Sequence, residues 1–340
     1  MARGRRSRRD LSAGRLVTPI GARGSSTRST DWRSVLSAKA REPLSTASQL
    51  RSVLTILGAA CAFGSVSVLA KLAYDAGSSP RALLAARVVV AALLLGVAGA
   101  STLGAGRVEA RDLALGGGAG ICFAGAGLLE FKALARLPAP TVVVLLFVAP
   151  VWVALGEWAL WRAPLGWMRG VLIGVVVLGI ALLAGSPGTG PPEGGAVFAA
   201  LAASTLSATF FLLLERLVAR VGPGRASCLT ALGAAVVATL ADPHGVVEEV
   251  GRSATAGYAL GIGALTAGGL GLLCTGLQRA SALSASAIVG AEPLVAAALS
   301  WLLLGELLSG MQLAGAAGVL IGVTGLSVQS CRAVTGSPPS

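Results

Sequence analysis

The sequence predicts an all-α fold, a polytopic membrane bundle of ten transmembrane helices arranged as two inverted five-helix repeats. Composition is the first observation behind this prediction. Of the residues, 54% are hydrophobic and 12% are charged, whereas soluble domains carry about 25% charged residues. The second observation is a series of ten apolar runs, and the third is a set of motifs that recurs in both halves.

The N-terminal segment, residues 1–52, is polar and rich in Arg and Ser, and it predicts a disordered basic cytoplasmic tail. It holds 12 of the 27 Lys and Arg residues behind the net charge of +12. A cleaved targeting peptide is the rival interpretation. The other basic residues flank apolar runs, which indicates a membrane-orientation bias and argues against a nucleic-acid groove.

From Val53 onward, the apolar runs predict the ten helices in order, because a helix needs about 20 residues to cross ~30 Å of hydrocarbon. Short breaks with turn and charge signals separate them, such as Gly222-Pro223-Gly224 and the segment from Asp242 to Arg252. The runs occupy residues 53–73, 82–100, 112–131, 140–160, 168–185, 196–214, 226–241, 257–275, 284–304 and 311–328.

The basic residues orient these helices. With both termini in the cytoplasm, nine basic residues fall on the cytoplasmic side and four on the external side, as the positive-inside rule requires. Lys132 and Arg136 run against the bias. The cytoplasmic set is Arg107, Arg111, Arg162, Arg169, Arg216, Arg220, Arg225, Arg279 and Arg332, and the external set is Arg81, Lys132, Arg136 and Arg252.

The two halves match at a constant spacing of 143 residues, which aligns Ala133 to Pro150 with Gly276 to Pro293. Pro150 and Pro293 each predict a break inside a helix, because proline removes a backbone hydrogen bond. Five spans per copy is an odd number, so the second copy enters the membrane from the opposite side. The predicted order is repeat 53–186, linker 187–195, repeat 196–330 and a cytoplasmic tail 331–340.

Inverted repeats with interrupted helices are typical of secondary transporters, in which one repeat rocks against the other around a site at the midplane. We therefore expect a small-molecule substrate and alternating access. The partners expected are that substrate and the lipid bilayer, with no nucleic acid, and a homodimer is one candidate assembly.

Several motifs carry a resemblance to a known family. The first two helices contain Phe63-Gly64-Ser65, Lys71, Ser79-Pro80 and Arg87. The end of the second repeat contains Glu292-Pro293, Gly305-Glu306 and the glycine-rich stretch from Gly315 to Gly325. This combination resembles the drug/metabolite transporter superfamily, in particular the EamA-type transporters, across residues 53–328.

The resemblance implies ten helices in two repeats, a multi-pass protein of the plasma membrane with both termini cytoplasmic, and most commonly the export of metabolites. Two positions depart from the family pattern. Arg162-Ala163 stands where many members have Gly-Glu, and Phe63 replaces a more usual Trp. These departures weaken any transfer of a particular substrate.

Ionisable groups within the hydrocarbon cost about 2.5–3.5 kcal/mol each, so they indicate function. Glu292 lies mid-run beside Pro293 and is a candidate for binding a cationic group or a proton; fastening two helices is the alternative. Arg87 is a candidate for holding a substrate carboxylate bidentately; a fixed ion pair is the alternative.

The remaining candidates for a substrate or proton site are weaker. Lys71 is expected to line an outer vestibule or to snorkel to the interface. Glu130 either joins the site or pairs with Arg87 or Lys132. Trp152 and Trp301 are expected to line the cavity or to serve elsewhere in the bundle.

Motif searches favour no enzyme class. The chain has no P-loop, no H-E-x-x-H and no G-x-S-x-G, and His244 is its only histidine. We therefore expect no catalytic residue, no metal site and no cofactor. Two alternatives stay open: an intramembrane enzyme or assembly factor, and a divalent-cation transporter or channel in which Glu130 or Glu157 joins Glu292.

Overall fold

The structure is a computed structural model that describes residues 46–103, 108–134, 136, 142, 145–161, 166–184, 194–304 and 310–335. Within these ranges all the regular secondary structure is helical. The helices of the first half are α1 (Thr46–Asp75), α2 (Pro80–Leu103), α3 (Ala110–Leu134), α4 (Ala149–Trp161) and α5 (Trp167–Ala184). Those of the second half are α6 (Gly194–Val221), α7 (Pro223–Ala241), α8 (Gly245–Gly251), α9 (Ser253–Leu277), α10 (Ala282–Val289), α11 (Glu292–Leu304) and α12 (Gly310–Thr335).

The described helices confirm the predicted all-α membrane bundle. Six of them are long and apolar enough to span a bilayer, namely α1, α2, α3, α6, α7 and α9, and shorter apolar helices accompany them. The outer surface carries large apolar side chains, including Val97 (79% exposed), Phe198 (73%) and Leu240 (76%). A surface of this kind is suited to lipid and would be costly in water.

The helix boundaries differ from the sequence-based ones at several places, including the following three. Helix α1 begins at Thr46, so it takes in the last residues of the segment predicted as tail, while residues 1–45 lie outside the described ranges. The break from Asp242 to Arg252 contains a further helix, α8. The ninth run is divided into α10 and α11 by a turn at Gly290 and Ala291, just before Pro293.

A tight corner joins α6 to α7. Gly222 is the single residue between them, and its φ of 80° lies in the left-handed region that favours glycine. Pro223 follows at the first helical position, where its missing N–H costs nothing. The chain therefore reverses direction within one residue.

The packing interleaves the two halves. Helix α3 lies along α6 and α7, and helix α9 lies along α1 and α2. Helices α5 and α12 pair closely with each other, with Leu172 near Gly325 and Gly179 near Gly315. The pairing order within that pair shows that the two helices run antiparallel.

Close backbone contacts repeat at equivalent positions of the two halves. A Cβ atom on Gly120 of α3 would overlap the carbonyl oxygen of Thr230 and lie 2.6 Å from the carbonyl carbon of Gly233 in α7. A Cβ on Gly263 of α9 would lie 2.5 Å from Val90 Cβ and 3.2 Å from the carbonyl oxygen of Arg87 in α2. Each of these residues is 143 positions from its counterpart, so the two halves pack in the same way.

Candidate functional site

A cavity of about 340 Å³ lies in the centre of the bundle, between helices of both halves. This volume is at the small end of the ~300–1,000 Å³ typical of ligand sites, so it suits a small molecule. Apolar and aromatic residues form most of the wall. The polar side chains on the wall are Ser67, Tyr74, Arg87, Glu130, Ser207, Thr266, Ser286 and Glu292.

Arg87 is the cationic group of the cavity. It projects from α2, and its guanidinium carbon lies 5.9 Å from the ring centroid of Phe123, a cation–π arrangement. Its Nε atom is buried and has no hydrogen-bond partner among the described residues. The guanidinium also interacts electrostatically with Glu130 and Glu292, so it has donors to offer a ligand within a balanced charge cluster.

Glu292 is held in the cavity by the break between α10 and α11. It is the first residue of α11 and follows the turn at Gly290 and Ala291. A Cβ atom on Gly64 of α1 would lie 2.8 Å from the carbonyl oxygen of Glu292 and 2.9 Å from Val295 Cβ. Only glycine at position 64 allows α11 to approach α1 this closely, so this residue positions the carboxyl group.

Glu130 is the second acid of the cavity and lies near the end of α3. One turn earlier, Gly127 faces α2, where an added Cβ would lie 3.3 Å from Leu84 and 3.8 Å from a terminal nitrogen of Arg87. The small residue therefore keeps α3 close enough to α2 for Glu130 and Arg87 to interact.

Four phenylalanines from three helices form a continuous aromatic surface on the cavity wall. The ring centroids are 6.4 Å apart for Phe63 and Phe123, 5.3 Å for Phe123 and Phe210, and 5.3 Å for Phe210 and Phe211. Aromatic rings at these spacings pack favourably beyond their burial alone. The cavity thus combines an apolar face with a charged face.

Hydroxyl groups add hydrogen-bonding capacity. Thr266 Oγ1 donates to the carbonyl oxygen of Ile262 at 2.8 Å, and Ser286 Oγ donates to that of Leu283 at 2.9 Å. Because both protons are used within their own helices, the oxygen lone pairs are what these groups present as acceptors.

The structure brings three of the predicted site residues together: Arg87, Glu130 and Glu292 all line the cavity, as does Pro150. Two other candidates lie outside the lining. Lys71 is exposed and lies outside the lining. Successive side chains on a helix point about 100° apart, so the positions of α1 that line the cavity point in a different direction from Lys71. Trp152 is 36% exposed on α4 and also lies outside the lining.

The side chain of Trp301 lies outside the described set, and Pro293 follows Glu292 without lining the cavity. Residues that the sequence reasoning missed include Tyr74, Phe123 and Phe210. One signal was available in α1, where Phe63, Ser67, Ala70 and Tyr74 recur at helical spacing and all line the cavity.

Among the described residues, no group of three or more His, Cys, Asp or Glu side chains is placed to hold a metal ion. His244 precedes α8 and does not contribute to the lining.

Comparison with known proteins gives a repeated match. The model of the EamA-like transporter family matches residues 50–185 and matches again over residues 194–328. A solved crystal structure shares the fold with a TM-score of 0.67 at 17% sequence identity, covering 82% of this chain and 98% of the other. No curated protein sequence matches the chain.

Proposed function

Because the chain belongs to the EamA-like transporter family, within the drug/metabolite transporter superfamily, we propose that it is a secondary active transporter of small metabolites or drug-like solutes. It works by alternating access, as an exporter or exchanger in the plasma membrane with both termini cytoplasmic. The helices form ten spans in two inverted five-helix repeats. The antiparallel pairing of α5 with α12 and the equivalent contacts of Gly120 and Gly263 support this arrangement.

The charge cluster of the central cavity carries this proposal. Three ionisable groups, Arg87, Glu130 and Glu292, line one cavity between apolar helices of the bundle. Each costs about 2.5–3.5 kcal/mol to insert, so groups at such a position are retained for a function. One guanidinium faces two carboxyl groups, which leaves one carboxyl to carry a proton or to meet a cationic part of the solute.

The wall chemistry defines the solute class. Arg87 offers donors to a carboxylate or phosphate, and the two glutamates offer acceptors to an ammonium group. The surface of Phe63, Phe123, Phe210 and Phe211 receives an apolar part of the same molecule. A small amphipathic solute with at least one charged group satisfies all of these walls.

Transport in proteoliposomes tests the proposal. Purified protein is reconstituted and challenged with labelled amino acids, organic acids and lipophilic cations, with and without a pH gradient. We expect accumulation of at least one solute above empty liposomes, accelerated by the gradient, and loss of that acceleration in Glu292→Gln. Flux equal to that of empty liposomes across the panel would refute the proposal.

The shared cavity of Glu130 and Glu292 also favours a second candidate, a divalent-cation carrier. Two carboxylates and nearby hydroxyls supply oxygen ligands, which hard cations prefer. Thermal stabilisation by Mn²⁺ or Ca²⁺ that disappears in Glu292→Gln, together with uptake of the labelled ion, would select this candidate over an organic solute.

A further inference from the structure

The two walls of the cavity do not correspond to the two sequence repeats. One wall is formed by α1, α2, α9 and α11, the other by α3, α4 and α6, and α10, whose Ser286 and Val289 also line the cavity, packs against helices of both walls. Each wall therefore contains helices from both halves. The groups on the first wall include Phe63, Arg87, Thr266 and Glu292, and those on the second include Phe123, Glu130, Pro150 and Ser207.

Most of the packing behind the two walls follows the same division, with the extensive contact of α2 with α7 as the main exception. Helix α3 of the first repeat lies along α6 and α7 of the second, whereas its contact with α2 is small. Helix α9 of the second repeat lies along α1 and α2 of the first. Glycine makes the fit close on both sides: a Cβ on Gly269 would lie 2.8 Å from the Phe63 ring, and one on Gly116 would lie 2.5 Å from Leu229 Cβ.

A polar connection, named here the Asp112 link, fastens the start of α3 to the end of α6. Arg220 Nε donates to Asp112 Oδ1 at 2.7 Å, and Arg220 Nη2 donates to Glu109 Oε2 at 3.0 Å. The Asp112 side chain is only 5% exposed, and its other oxygen accepts from the Glu109 backbone N–H at 3.2 Å. A buried charged hydrogen bond of this kind resists separation of its helices.

A second connection, the Glu249 link, fastens the end of α1 to the segment before α9. Ser78 Oγ donates to Glu249 Oε1, and Glu249 is only 1% exposed. Thr255 Oγ1 donates to the Glu249 carbonyl oxygen at 2.9 Å, and Arg252 Nη1 donates to the Gly77 carbonyl oxygen at 3.4 Å. Helix α8 thereby holds the start of α9 against the turn between α1 and α2.

The two links occupy equivalent places in the two halves. Gly77 and Arg220 are 143 residues apart, and so are Glu109 and Arg252. The links lie at opposite ends of α7, since α6 ends just before this helix and α8 begins just after it. Its 19 residues make it about 28 Å long at ~1.5 Å per residue.

We infer that the units that move during transport are interleaved and that the two links hold them together. The α1 body comprises α1, α2, α8, α9 and α11; the α6 body comprises α3, α4, α6 and α7. Helix α10 packs against both bodies, and the pair α5 and α12 is assigned to neither. The cavity opens and closes between these bodies, and α2 against α7 is the contact about which they turn. This inference rests on the proposed transport function and replaces the rocking of one sequence repeat against the other.

Distances between spin labels separate the two modes of motion. Leu113 on α3 serves as a common position, being 56% exposed. When Leu113 is paired with Val97 on α2, the measured distance is between two helices that belong to the same repeat but to different bodies. When Leu113 is paired with Gly224, which is exposed at the start of α7, the measured distance is between two helices that belong to different repeats but to the same body. Each pair is made as cysteines in the full chain after replacement of the five native cysteines.

Pulsed electron–electron double resonance is then recorded in proteoliposomes at pH 5 and pH 9. We expect the Leu113→Cys/Val97→Cys pair to show two distances or a shift of about 4 Å, from a ~15° rotation acting on half of a ~28 Å helix. The Leu113→Cys/Gly224→Cys pair is expected to keep one narrow distance throughout.

Every other pattern overturns the inference. A shift of the α3–α7 pair with a constant α2–α3 pair means that the repeats move as units. Movement of both pairs, or of neither, excludes the interleaved bodies. Solute flux measured on the same liposomes reports on the proposed function independently, because a transporter with a different moving boundary still accumulates solute.

The links are tested in the same labelled protein. Arg220→Gln removes the charge that binds Asp112, and we expect the Leu113→Cys/Gly224→Cys distance to broaden or split. Arg220→Lys, which keeps the charge, is expected to restore a single distance. Arg111→Gln, a charge removal at the exposed neighbour of Asp112, is the matched control. An unchanged distance in Arg220→Gln would show that the Asp112 link does not hold α3 in the α6 body.

Discussion

Replacement of Arg87 by lysine tests whether the guanidinium, beyond its positive charge, binds the solute. Arg87 presents a buried Nε donor and lies 5.9 Å from the Phe123 ring centroid. Lysine keeps the charge but loses the forked donors and the planar contact. A hydrogen bond to a charged partner contributes about 1.5–3 kcal/mol net, so we expect about 2 kcal/mol less binding of the transport transition state.

A loss of about 2 kcal/mol corresponds to a transport efficiency, kcat/KM, lower by roughly 30-fold. Arg87→Ala also removes the charge that balances Glu130 and Glu292, and the expected loss exceeds about 100-fold. Arg81→Lys is the matched control, because Arg81 lies six residues earlier on the same helix and is exposed. It is expected to transport as wild type does.

The assay is initial-rate uptake in proteoliposomes at several solute concentrations, with each variant first checked for monodispersity and melting temperature in detergent. Wild-type rates in a folded Arg87→Ala variant would refute the assignment of Arg87 to the site. Equal losses in Arg81→Lys and Arg87→Lys would show that the rates report a general property of α2 rather than contact with the solute.

Three further predictions concern the same machinery. Glu292→Gln is expected to transport at a rate independent of the pH gradient, and a retained gradient response would remove Glu292 from the coupling step. Gly120→Leu should destabilise the protein by about 1–3 kcal/mol through overpacking and so lower its melting temperature in detergent. Gly170→Leu, at a position with open space around it, should leave the melting temperature unchanged. Gly64→Ala should reduce uptake while the protein stays folded, since its Cβ would press on the backbone at Glu292; normal uptake would contradict this positional role.

Much of the fold was readable from the sequence, because hydrocarbon imposes long apolar helices and leaves few other patterns. The apolar runs located the described helices other than α8. The spacing of 143 residues that aligned Pro150 with Pro293 also relates Gly120 to Gly263, and these two glycines make equivalent helix contacts in the structure. Depth alone identified Arg87 and Glu292, since charges in such places are rare.

The remainder required the three-dimensional arrangement. Glu248 and Glu249 are adjacent in a short acidic segment, yet Glu248 pairs with Arg252 at the surface while Glu249 is buried against Ser78. A seven-residue helix such as α8 is too short for periodicity to reveal. Phe123 and Phe210 look like ordinary core residues until distant helices place them on one wall.

The unequal chemistry of the two links means that the ends of the bundle differ in their response to dissolved salt. Arg220 pairs with Glu109, whose side chain is 70% exposed, so mobile ions screen part of that attraction, with a Debye length of ~8 Å at 0.15 M. Glu249 is enclosed and bonded to a neutral hydroxyl, so ions in solution reach it far less. A rise in ionic strength therefore weakens the pair of Arg220 with Glu109 more than it weakens the hydrogen bond of Ser78 with Glu249.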